Sequence, residues 1–175
     1  MRSAYVLTFL FLLGLATSTR GVESSDTETV SRLGLSKHSL VAGIKQAAKT
    51  HGAPISAKFE FEDGKLWLSV YTAKAGTVVD AEHNTLIELK GEPNTATWAP
   101  DLEVFEDKKH LTRSAMQLTL LQQSKLDLAA LVEKAAGTEK GVPYSAIPAV
   151  KNGRAILVVK FAAVDGASHA VEIAL

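Results

Sequence analysis

The chain contains no cysteine. Disulfides and thiolate sites are therefore excluded, as is the attachment residue of a bacterial lipoprotein. An excess of one charge is also missing. Nineteen basic residues face nineteen acidic ones, for a formal net charge of zero. Nucleic acid is not an expected partner, because no basic stripe is present. There is no Gly-rich phosphate loop, no nucleophile elbow and no zincin helix. His38, His51, His83, His110 and His169 include no i, i+4 pair of the kind a helix-borne metal site uses. No cofactor, metal site or catalytic residue is expected, and the protein reads as a non-enzyme.

A long apolar run is lacking as well. "AYVLTFLFLLGLA" (Ala4 to Ala16) is apolar except for Thr8, and falls short of the roughly 20 residues of a transmembrane helix. Arg2 gives it a positive start, and polar Thr17 to Arg20 end it. Ala16-Thr17-Ser18 sets small residues where a signal peptidase reads. The expectation is a signal peptide over 1–18 and a secreted or periplasmic protein. The competing reading is an uncleaved anchor. Residues 19–35, including "VESSDTETVS", read as a flexible polar lead-in.

What remains is 46% hydrophobic and 22% charged over the whole chain, as suits a soluble globular protein with a core. "SKHSLVAGIKQAAK" (36–49) and "SKLDLAALVEKAAG" (124–137) match at an offset of 88. Both have helical apolar spacing: Leu40, Ile44 and Ala47 in one, Leu128, Val132 and Ala135 in the other. Ser36 and Ser124 are the expected N-caps, with Asp127 favouring the positive helix start. Gly52 and Gly137 lie where the helices should stop. "APISAKFEFEDGKLWLSV" and "VPYSAIPAVKNGRAILVV" then match at an offset of 89. "LIEL" (86–89) and "AVEI" (170–173) echo each other as further strands. A duplicated unit of helix, hairpin and strand is expected.

Asp63-Gly64 and Asn152-Gly153 suit two-residue hairpin turns with positive φ at both positions. The first turn pairs Glu62 with Lys65, Phe61 with Leu66, Glu60 with Trp67 and Phe59 with Leu68. Ala57, Phe59, Phe61, Leu66, Leu68 and Val70 then face the core. Lys58, Glu60, Glu62, Lys65, Trp67, Ser69 and Tyr71 face solvent.

The run "KQAAKTHGAPISAKFEFEDGKLWLSVY", and less closely "VEKAAGTEKGVPYSAIPAVKNGRAILVVKF", resembles the PepSY domain. The "D-x-x-T-G" turn that often closes such units is only approximated by "VVDAEHNTL" and is absent from the second copy. The resemblance implies an α+β fold, with a helix packed on a small antiparallel sheet in each unit. It also implies export and an inhibitory, chaperone-like or regulatory binding role. A tandem of such units is similar to the architecture of the β-lactamase inhibitor protein. The units would span 36–90 and 124–175, joined by a connector at 91–123.

In the connector, Pro93 and Pro100 mark a turn-rich first half. Asp107 to Gln122 reads as a helix with Leu111, Ala115, Leu118 and Leu121 or Gln122 on one face, although "MQLTL" also alternates like a strand. In the second hairpin Ile147, Ala149, Ile156 and Val158 make the far face apolar too. That face needs a cover: the connector helix, another subunit or a ligand.

Trp67 and Tyr71, among Lys58, Glu60 and Lys65, are the candidate contacts for a protein or peptide partner, perhaps a peptidase. The alternative is that both aromatics cover a neighbouring loop such as that of Trp98. Asp80, Glu82 and His83 share one loop, which reads as a solvated acidic turn or as the cation contact of an ion- or small-ligand-binding sensor.

Overall fold

The computed structural model describes residues 23–175; the expected signal peptide lies outside them. Among the described residues are four α-helices and seven strands. These are α1 (Glu23–Arg32), α2 (Leu40–Thr50), β1 (Ala53–Glu62), β2 (Lys65–Ala73), β3 (Leu86–Gly91), β4 (Asp101–Val104), α3 (Lys108–Leu121), α4 (Leu128–Ala136), β5 (Val142–Lys151), β6 (Arg154–Ala162) and β7 (Ser168–Ala174). The strands form one antiparallel sheet in the order β4-β3-β2-β1-β5-β6-β7.

Both expected turns form. Asp63 and Gly64 have φ of 52° and 76°, and Asn152 and Gly153 have 51° and 74°. Glu60 pairs with Trp67 and Phe59 with Leu68, which is the register the sequence predicts. Each hairpin also carries an irregularity near its start, between Pro54 and Ser56 and between Pro143 and Ser145.

Between the hairpins the ladder is short. Only Ala57 pairs with Ala146 and Lys58 with Ser145. Pro148 helps to end it: its nitrogen faces the β1 side and has no proton to donate. Past the other end, Phe61 N–H turns instead to Thr29 Oγ1 of α1 at 3.1 Å. Asp26 of α1 meets Lys160 of β6 at 2.5 Å. The expected lead-in is thus, from Glu23 on, a helix that buries Thr29 and Val30 against the sheet.

Helices α2 and α4 lie on one face of the sheet and bury Leu40, Ile44, Ala47, Leu128, Leu131, Val132 and Ala135. Lys45 Nζ meets Glu133 Oε1 at 2.5 Å between them. Their N-caps are Ser39 and Asp127, which accept from Ala42 N–H and Ala130 N–H. Ser36 and Ser124, three residues earlier, accept instead from His38 N–H and Leu126 N–H. A short oxygen-bearing side chain was needed nearer the first turn than the sequence reading placed it.

Helix α3 covers part of the opposite face, where Ser56 Oγ donates to Gln117 Oε1 at 2.8 Å. Its buried side carries Ser114, Gln117, Leu118, Leu120 and Leu121, whereas Leu111 is exposed. The sheet beneath α3 is itself partly polar, but only Ser56 and Gln117 answer each other there: Ser114, and Ser69, which was expected to face solvent, are buried with hydroxyls that have no partner among the described residues. The turn-rich stretch before α3 also holds a strand, β4, that the two prolines obscured. Phe61, expected in the core, is only half-buried, because it sits at the hairpin end with Arg32 over its ring at 5.3 Å.

Candidate functional site

The sequence singled out Lys58, Glu60, Lys65, Trp67 and Tyr71. Strand alternation and register put them on the side of the sheet facing away from α2. The structure divides them into two groups.

Tyr71 is not available as an exposed contact, being 6% accessible. Phe105, in the loop before α3, meets its ring edge-on at a centroid distance of 4.9 Å. Phe105 in turn stacks on His110 at 5.2 Å. Burial, and then the nearby Glu88 carboxylate, push the Tyr71 hydroxyl up to about 12. The middle segment folds back over β2 and hides this residue, so covering rather than partner contact describes Tyr71.

Trp67 keeps an accessible ring. It is half-buried, paired with Glu60 and ringed by charges. Lys65 Nζ and Lys90 Nζ lie 5.6 and 5.4 Å from its ring centroid, close enough for cation–π attraction. Each ammonium also has a carboxylate: Lys65 meets Glu92 at 2.6 Å, and Lys90 meets Glu62 at 2.9 Å. Lys58 pairs with Glu60 along β1. The hydrogen bond from Lys90 holds the Glu62 carboxyl below its ordinary range. Burial opposes the charge on Lys90, but the Glu62 carboxylate outweighs it and raises the Lys90 pKa. The charges therefore compensate one another around the indole.

A cavity of about 500 Å³ opens beside the indole, lined by Trp67, Gly91, Glu92, Asn94, Thr95, Ala99 and Asp101. Its floor comes from β2 and β3, and its wall from the loop leading into β4. That loop is anchored by Trp98, which is buried and donates Nε1–H to the Gly91 carbonyl at 3.3 Å. Its carbonyl accepts from Gln46 Nε2 of α2 at 2.7 Å. Trp98 and Trp67 thus lie on opposite sides of the same strand ends. Lys90, Glu92, Asn94 and Asp101 were missed in the sequence. The alternation of "LIELKG" was the available signal, since it sets Lys90 on the solvent side of a strand next to β2.

The loop of Asp80, Glu82 and His83 also brings these side chains together. The ligand atoms of Asp80, Glu82 and His83 lie within 4.8 Å of one another, and all three residues are exposed. Asp80 already caps a short turn by accepting from His83 N–H, and it meets His83 Nδ1 at 2.9 Å. The side-chain bond to His83 keeps its carboxyl low. A second groove, of about 550 Å³, runs between α2 and α4 under the Lys45–Glu133 bridge, with Ile44, Ala48, Pro54, Leu128 and Ala129 in its lining.

No family model matches the chain, and no curated protein or solved structure matches it either.

Proposed function

We propose that the protein is an exported, non-enzymatic binding protein made of two PepSY-like units, which holds a protein or peptide partner, such as a peptidase, against Trp67. The observation that carries this reading is the partly accessible indole beside a 500 Å³ cavity, on a part of the sheet that none of the described helices covers. A partly accessible tryptophan surrounded by compensated charges is an anchor of the kind that dominates interfaces. Lys58, Glu60, Lys65 and Lys90 form the polar rim.

Several coincidences support the two units. Gly52 and Gly141, 89 residues apart, both take positive φ, at 94° and 120°. An added Cβ would meet the carbonyl oxygen of Ala73 in one case and of Ala162 in the other, and these too are 89 residues apart. The irregularities at Pro54/Ser56 and Pro143/Ser145 keep the same spacing. Ala57 pairs with Ala146, its own counterpart, so a pseudo-twofold axis would pass between them. The offset of 88 also runs upstream of the matched helices: it carries Thr29 to Gln117 and Val30 to Leu118, all buried. On this reading α1 and α3 are the same element. Each unit then begins with two helices, and β4 is an addition.

Inhibition assays against a panel of secreted peptidases test the reading, with Trp67→Ala as the decisive variant. The expected result is inhibition by the wild type and its loss in Trp67→Ala, with a melting midpoint within a few degrees of wild type. A Trp98→Phe background makes Trp67 the sole reporter of binding among the described residues. Failure to inhibit, together with unaltered Trp67 fluorescence, removes the proposal. The second reading, an ion-binding sensor, rests on the clustered Asp80, Glu82 and His83. It requires calcium or zinc to raise the melting midpoint and Asp80→Asn to abolish that rise.

A further inference from the structure

The sheet has two outer edges, and they differ. β4 contributes four exposed residues, two of them acidic (Asp101 and Glu103). β7 contributes seven residues, with Glu172 as its only acidic side chain. Its charges are also matched from inside the molecule. Lys151 meets Glu172 at 2.6 Å, and Glu139 lies 3.6 Å from His169. Among the described residues, no strand pairs the outer side of β7.

The direction of the β7 backbone follows from its neighbours. Ala163 N–H donates to Ala167 O, and Leu175 N–H donates to Ala155 O. The odd-numbered residues of β7 therefore bond to β6. Ser168, Ala170, Glu172 and Ala174 point their N–H and C=O groups outward. An unblunted edge of this length is a template for another strand.

We propose that β7 is a dimer interface, joining two copies of this chain antiparallel about an axis through Val171. In that register Ala170 faces Glu172 of the second copy, and Ser168 faces Ala174. Every outward N–H and C=O from 168 to 174 finds a partner. Val171 meets its own copy across the axis, while His169 faces Ile173, extending the half-buried apolar row on the α4 side. No like charges stand directly opposite. Self-pairing of β4 would set Asp101 against Glu103 twice, a repulsive arrangement. The self-complementary edge is therefore the one at β7, as a closed twofold contact requires. Continuous sheets of this kind take their affinity from main-chain hydrogen bonds.

The absence of cysteine gives a clean test with the full chain. A central pair not bonded to each other holds its Cα atoms about 4.5 Å apart, within the span a disulfide accepts. Val171→Cys should form a disulfide-linked dimer in a glutathione redox buffer, while Glu103→Cys on the other edge should stay monomeric. Sedimentation of the wild type should show a concentration-dependent dimer. Ala170→Pro removes an outward N–H that β6 does not use, and should raise the dissociation constant roughly tenfold or more. Equal cross-linking of the two cysteine variants, or a wild type that is monomeric at every concentration, overturns the proposal.

Discussion

On the first hairpin the side chains facing away from α2 include Lys58, Glu60, Glu62, Lys65 and Trp67. At positions 89 residues later, the second hairpin holds Ile147, Ala149, Lys151, Arg154 and Ile156. Turns, register and irregularities coincide, so the backbones are set by Asp-Gly, Asn-Gly and the entry prolines rather than by these outward residues. One ion pair even recurs with its signs exchanged. Glu62 on β1 meets Lys90 on β3, whereas Lys151 on β5 meets Glu172 on β7. A strand position needs a charge that its neighbour can answer, and either sign will serve. What distinguishes the halves is side-chain chemistry rather than cover: Arg113 and Gln117 of α3 lie against both Lys58 and Ile147, and Trp67 and its counterpart Ile156 are both partly buried.

The sharpest way to break the comparison is through the core. Leu68 and Leu157 are 0% exposed and stand 89 residues apart. Leu68→Ala and Leu157→Ala should each cost about 2–5 kcal/mol in urea denaturation. Both variants should unfold in a single transition, because one hydrophobic cluster joins the halves. A split transition would mean that the hairpins stand independently.

A smaller effect comes from Tyr71. Its hydroxyl titrates near 12 in the folded chain, against 10 for the ordinary group. Between those values the unfolded chain has lost the proton and the folded chain keeps it, so stability falls as pH rises through this window. The loss should be about 2–3 kcal/mol. Tyr71→Phe should remove that part of the alkaline decline; a wild-type slope in the variant would show Tyr71 solvated.

The smallest effect is expected at Glu62, whose side chain is 51% accessible. Glu62→Gln should cost no more than about 0.5 kcal/mol near neutral pH. Its folded pKa is depressed below the ordinary 4.5. The contribution is therefore present above that value and is lost as pH falls through the folded pKa. Lys151→Met should match it in size, and a much larger loss at either position would show that the two bridges are not comparable.

Legibility in the sequence followed the range of the interaction involved. The Asp63-Gly64 and Asn152-Gly153 turns are local and fix the hairpin registers, so β1, β2, β5 and β6 could be read directly. α1 was obscured because its sequence is polar and its burial comes through Thr29 and Val30 against a distant strand. β4 was hidden behind Pro93 and Pro100. At the candidate site Trp67 was visible as an aromatic on a charged strand face. The cover over Tyr71 was not, because Phe105 reaches it only after the 33 residues between them have folded back.

The two-pair seam at Ala57–Ala146 and Lys58–Ser145 also has a consequence for synthesis. β1 lies at the centre of the finished sheet, yet its inner partner leaves the ribosome 89 residues later. At translation speeds of about 5–20 residues per second, that interval is roughly 4–18 s. During it Ala57 and Phe59 present an open strand edge in the nascent chain. α1, the first of the described helices to be made, can dock on Phe61 at once, but its bridge from Asp26 to Lys160 must wait for β6. That helix is thus a temporary guard on β1 and only later a brace between the two halves.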